Sequence, residues 1–151
     1  MSLDPDNPVV ALCVSGMQVD GEPRKALALF EQAWALRTDD VEASVAAHFM
    51  ARHQPTPAAA MHWNELALRH ADAVTDGRAG ALVPSLCLNL ADSYRVHGRL
   101  GDAAAAAQRG LAAVNSLPVD DGYVAFVRMG LERMLQLVRS SCAPAPTPET
   151  L

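Results

Sequence analysis

Apolar residues recur along this chain at intervals of three and four rather than two, and Gly and Pro interrupt them at regular places. The spacing predicts helices over Val9–Val19, Arg24–Arg37, Val41–His53, Ala58–Ala73, Leu82–His97, Leu100–Asn115 and Gly122–Ser140. In the second of these, Ala26, Leu27, Phe30, Ala33, Trp34 and Leu36 form one apolar face. In the last, Val124, Val127, Leu131, Met134, Leu135 and Val138 make a single stripe. Thr38-Asp39-Asp40 supplies a cap for the third helix, and Pro55-Thr56-Pro57 separates the third from the fourth. The stretch from Val74 to Gly80 has the weakest helical pattern, and no segment reads as a strand. Three prolines in the nine residues 143–151 predict a disordered tail.

The helical segments repeat. A shift of 34 residues aligns Cys13 with Ala47, Gly21 with Pro55, Ala26 with Ala60 and Ala33 with Ala67. A further shift of 43 aligns Ala47 with Leu90, Ala51 with Tyr94, Ala60 with Ala103 and Leu68 with Leu111. The third unit therefore follows a nine-residue insertion, which falls in the weakly patterned region 74–80. The expected organisation is one domain over residues 1–142. It has units at about 7–40, 41–74 and 84–117, and a capping helix at 121–140.

With Gly21, Ala26, Phe30 and Ala33 in the first unit, and Leu90, Ala91, Tyr94, Gly98 and Ala103 in the third, the chain resembles the tetratricopeptide repeat family. Leu90-Ala91-Asp92-Ser93-Tyr94-Arg95-Val96-His97-Gly98-Arg99 carries the likeness most strongly. The second unit keeps Ala60 and Ala67 but has Pro55 where the family has Gly. The resemblance covers about 110 residues and implies an all-α, right-handed stack of three helix hairpins sealed by the last helix. It also implies a concave groove lined by the first helix of each hairpin. Candidate groove residues are Gln18 in unit 1, Phe49, Arg52 and His53 in unit 2, and Asp92 and Arg95 in unit 3. The family's clamp for chaperone C-termini needs Lys and Asn where this chain has Ala11 and Ser15, so that activity is not carried over.

Two irregularities in this pattern bear on chemistry. In unit 2, His48 stands where the family has a small residue and Asn64 where it has an aromatic. Volume has moved from one helix to the other, and both groups are polar, so they are expected to face each other, bonded together or to water or a ligand. A polar pocket bounded by His48, Asn64 and Trp63 is the sharper form of this reading. Separately, Gln18, Arg52 and Arg95 share one repeat position, which aligns two guanidiniums on neighbouring rungs with His53 beside them. A planar fork on each suits a carboxylate, so the expected ligand is an acidic segment or a free C-terminal carboxylate. The competing reading treats both arginines as cations answering helix C-terminal dipoles.

Composition narrows the remaining classes. Half the residues are apolar, 28 are Ala, and the net charge is −5, which argues against nucleic acid as a partner. No apolar run is long enough for a membrane span, and no secretory pattern opens the chain. Cys13, Cys87 and Cys142 are odd in number and far apart, which suits a reducing, cytoplasmic setting. Arg outnumbers Lys 11 to 1, a bias typical of GC-rich bacterial genes. No nucleophile elbow, phosphate-binding loop or zinc motif occurs, and the His48/His53 and His62/His70 spacings do not chelate locally. No metal, cofactor or catalytic residue is expected. The reading is a non-catalytic module that binds a peptide or protein in its groove. The alternatives are a self-associating homodimer and a small-ligand binder centred on His48 and Asn64.

Overall fold

The computed structural model describes residues 4–19, 21–118 and 122–142. Among them the chain is helical, with no strand: α1 Pro8–Gln18, α2 Pro23–Leu36, α3 Asp40–Met50, α4 Pro57–Ala73, α5 Val83–Val96, α6 Leu100–Val114 and α7 Gly122–Cys142. The tail expected to be disordered, 143–151, lies outside the described residues, as do 1–3, Asp20 and 119–121.

Local chemistry sets each helix boundary. Pro8, Pro23, Pro57 and Pro84 stand in the first turns of α1, α2, α4 and α5, where a missing N–H costs nothing. Asn7 Oδ1 accepts from the amides of Val9 and Val10, Asp39 from that of Glu42, and Thr56 Oγ1 from that of Ala59. Gly21 and Gly98 follow α1 and α5 with φ of 75° and 71°, a left-handed conformation that releases the chain into the next helix. Unit 2 has Pro55 at this place and cannot make that turn. There α3 stops at Met50, short of the expected His53, and tightens into one 3₁₀ turn, Ala51–His53, while Gln54 Nε2 donates to the Met50 carbonyl.

Helices close in sequence are close in space. α2 folds back on α1, α4 on α3 and α6 on α5. α3 packs on both α1 and α2, and α7 on both α5 and α6. Small residues allow the approach: Ala33, Ala46, Ala47, Ala67, Ala91, Ala103 and Ala107 are all fully buried. Where alanine is still too large, glycine appears. A Cβ on Gly16 would enter the Phe30 ring, and one on Gly110 would lie 2.7 Å from Leu131 Cδ2 and 2.9 Å from Cys87 Cβ. The step from α3 to α5 breaks this regularity. Their backbones do not pack as α1 and α3 do, and polar side chains join them instead.

Phe30 is sealed completely, with Gly16 beneath it and the Phe49 ring centroid at 5.5 Å. Phe30→Ala should therefore lower unfolding free energy by about 3–5 kcal/mol in urea titrations. A loss below about 1 kcal/mol would contradict this packing. Gly16→Ala should destabilise through a clash rather than a cavity, and partial rescue by Phe30→Leu in the double variant would show the two act on one contact.

Candidate functional site

The face expected to form the groove is occupied unevenly. Gln18 is exposed at the end of α1, and its side chain makes no hydrogen bond among the described residues. In unit 2 the expected groove residues turn largely to structure. Phe49 is half-buried between the rings of Phe30 and His48, and His53 lies parallel to Phe30 with centroids 6.0 Å apart. His53 is therefore a lid on the Phe30 pocket rather than a donor standing beside Arg52. Val45, one helical turn before Phe49, is only 2% exposed. It lines a cleft of about 450 Å³ together with Asn7, Val10, Glu42 and Arg78.

The nine-residue insertion explains part of this burial. Ala79 and Leu82 are buried in the core. Gly77, with φ 82°, turns the loop so that the Arg78 guanidinium reaches both Asp76, at 2.7 Å, and Asp39 at the start of α3, at 2.9 Å. Asp39 also accepts from the Glu42 amide, and these bonds hold its carboxyl below the usual range. Burial alone would raise Glu42, but Asn7 Nδ2 and the Thr38 amide and hydroxyl donate to it and keep it low. The insertion is thus a strap clasped to the N-terminal end of unit 2. Arg78→Ala should expose the strap, read as faster amide exchange at Gly77–Leu82 with little change at α6. Unchanged exchange would mean that Ala79 and Leu82 alone hold it.

The arginine rung divides. Arg95 donates to Asp92 from Nε at 3.0 Å and Nη2 at 2.7 Å, so the two candidates of unit 3 engage each other. Arg52 is exposed in the 3₁₀ turn with no carboxylate partner among the described residues. Arg95 lies in the last turn of α5 and Arg52 just after α3, where each cation opposes a helix's negative end.

His48 and Asn64 do not bond each other. Both turn instead to α5, where positions 89 and 93 lie one helical turn apart. His48 Nδ1 is 3.4 Å from Asn89 Nδ2, and Asn64 Nδ2 donates to Ser93 Oγ at 3.0 Å. Asn64 is 6% exposed, and its Oδ1 has no hydrogen-bond partner among the described residues. The Trp63 ring meets Trp34 edge-on at 5.0 Å, tying α4 to α2. These bonds set His48 and Asn64 in a polar seam across the junction of units 2 and 3. Tyr94 Oη donating to Glu65 at 3.1 Å, and the Arg109–Asp72 pair, continue the seam outward. Asn89 and Ser93 escaped the sequence reading, although their i, i+4 spacing puts them on one face of the helix.

Burial pushes the His48 pKa down to about 4, and the nearby Arg52 charge adds to the fall. The neutral ring is the one that folds. An unfolded histidine titrates near 6.5, so the contribution is complete above that pH and lost as pH falls from about 6.5 to 4. Within that window unfolding free energy should drop by about 1.4 kcal/mol per pH unit, and His48→Gln should flatten the slope. An unchanged slope in the variant would assign the pH dependence elsewhere.

Chemistry for catalysis is sparse among the described residues. Burial raises the Cys13 and Cys87 thiols to about 12 and about 11, which leaves both protonated and unreactive at neutral pH. His70 pairs with Asp40 at 2.7 Å, and Thr38, which lines the same recess, gives its hydroxyl to Glu42. No group of three His, Cys, Asp or Glu side chains among the described residues is placed to hold a metal. Among the described residues no helix is long and apolar enough to cross a membrane.

An apolar cleft between α5 and α7 also escaped the sequence reading. Leu88, Phe126, Met129 and Gly130 line it, with Glu132, Arg133 and Gln136, and its volume is about 520 Å³. Phe126 and Met129 lie off the buried stripe of α7 and are 66% and 62% exposed. Gly130 lets α7 settle on α5, since a Cβ there would lie 2.8 Å from Leu88 Cδ2. Leu88 lies one helical turn before Asp92, so the cleft adjoins the expected groove face. Comparison of the chain with protein-family models, with curated proteins and with solved structures finds no match.

Proposed function

We propose that this chain is a non-catalytic interaction module of the tetratricopeptide type, a right-handed stack of three hairpins and a sealing helix that binds a peptide or protein segment. The alignment of Gly21, Pro55 and Gly98 with the three helix turns supports the repeat register. The pairwise packing of successive helices, with α7 returning to α5 as α3 does to α1, supports the stack.

The observation that carries the binding reading is the open cleft formed by Leu88, Phe126 and Met129. Folded monomers bury most large apolar side chains, and a cluster left exposed beside a groove marks a contact surface. Aromatic and methionine side chains are also the residues enriched where partners anchor. Arg95, Asp92, His48 and Asn64, by contrast, already have partners inside the chain. The binding surface is therefore centred on α5 and α7 rather than on the arginine rung or the His48/Asn64 seam.

Selection from a random-peptide display library on the immobilised full chain tests this reading. The expected result is an enriched peptide class of micromolar affinity whose binding slows amide exchange on α5 and α7. Enrichment of nothing, or protection confined to α4 and α6, would contradict it.

A further inference from the structure

The α5–α7 cleft combines an exposed apolar strip with the excess positive charge of α7, and that combination selects its occupant. Between α4 and α6 most arginines are paired: Arg78, Arg95 and Arg99 each have a carboxylate oxygen within 2.9 Å, and Arg109 is paired with Asp72. On α7, Arg128, Arg133 and Arg139 face a single acid, Glu132, and none of the three has a carboxylate partner among the described residues. Arg128 donates only to the Asn115 side-chain oxygen, at 2.8 Å. In a chain of net charge −5, α7 is thus net positive by two.

Arg133 belongs to the cleft itself. Along α7, Phe126, Met129 and Arg133 follow one another at spacings of three and four and therefore share one face. An occupant that buries an apolar side chain against Phe126, Met129 and Leu88 comes within reach of the Arg133 guanidinium. We propose, resting on the interaction reading above, that this cleft takes an acidic amphipathic segment of a partner protein. The partner inserts an aliphatic or aromatic anchor between Phe126 and Met129 and sets an Asp or Glu against Arg133. This is the recognition of an amphipathic helix in a groove, with the charge at the rim choosing the sequence. A second copy of the chain fits less well. Two α7 helices laid face to face bring like net charges together, with one Glu132 on each against three arginines.

The test uses the full chain and two exposed-site variants, Phe126→Ser and Arg133→Glu, each checked for an unchanged melting temperature. Peptides enriched on the wild type should carry net negative charge beside apolar anchors. Both variants should weaken those peptides by at least about tenfold, and Arg133→Glu should instead enrich peptides bearing Lys or Arg. Sedimentation of the unliganded protein is measured in parallel. Enriched peptides that bind both variants as tightly as the wild type would overturn the proposal while leaving the interaction module intact at another surface. A concentration-dependent dimer abolished by Phe126→Ser would overturn it in favour of a second copy. A monomer that enriches no peptide would overturn both this proposal and the reading on which it rests.

Discussion

Close helix approach is the constraint on which the rest of this structure depends. The helices are short, most between 11 and 17 residues, and helices of that length are marginal alone. They persist because each is pressed against its neighbours, and the pressing requires small side chains at the crossings. Ala33, Ala47, Ala67, Ala91, Ala103 and Ala107 meet that requirement, and Gly16 and Gly110 meet it where a methyl group is already too much. Phe30 then fills the single large gap that two closely packed helices leave in the first unit. Abundant alanine in this chain is consequently a packing device as well as a helix-favouring composition.

The same constraint explains why polar chemistry gathers at one junction. Between units 2 and 3 the backbones of α3 and α5 stand apart, with His48 where a small residue is expected and Asn64 where an aromatic is expected. Polar side chains from α3 and α4 reach α5 across this wider space, and the inserted strap is fastened nearby through Arg78. Groups that looked available for a ligand are therefore engaged in holding the two halves together. Exposure shifts to the other side of α5, where α7 leaves Phe126 and Met129 uncovered.

Much of the fold was legible in the sequence because Gly and Pro act locally. Gly21, Pro55, Pro57 and Gly98 mark the turns whatever the tertiary context, and the caps at Asn7, Asp39 and Thr56 are equally local. The site was less legible because it depends on which element lies opposite. The exchange of volume between His48 and Asn64 was a true irregularity, but its outcome turned on Asn89 and Ser93, some 30 to 40 residues away. Arg95 looked like a free groove cation, yet Asp92 on its own helix claims it. In α7, attention to the buried stripe from Val124 to Val138 hid two leftover apolar residues, and only their exposure reveals a surface.

The central claim is that the α7 strip stands open to solvent while the adjoining core is closed. Methyl NMR with a soluble paramagnetic probe measures this directly, because the chain carries methionines on both sides of that boundary. The account predicts strong broadening of Met129 and of the exposed Met17, with the buried Met50 and Met134 protected. A Met129 methyl as protected as that of Met134, in dilute protein without any partner, would show the strip already covered and would contradict the account.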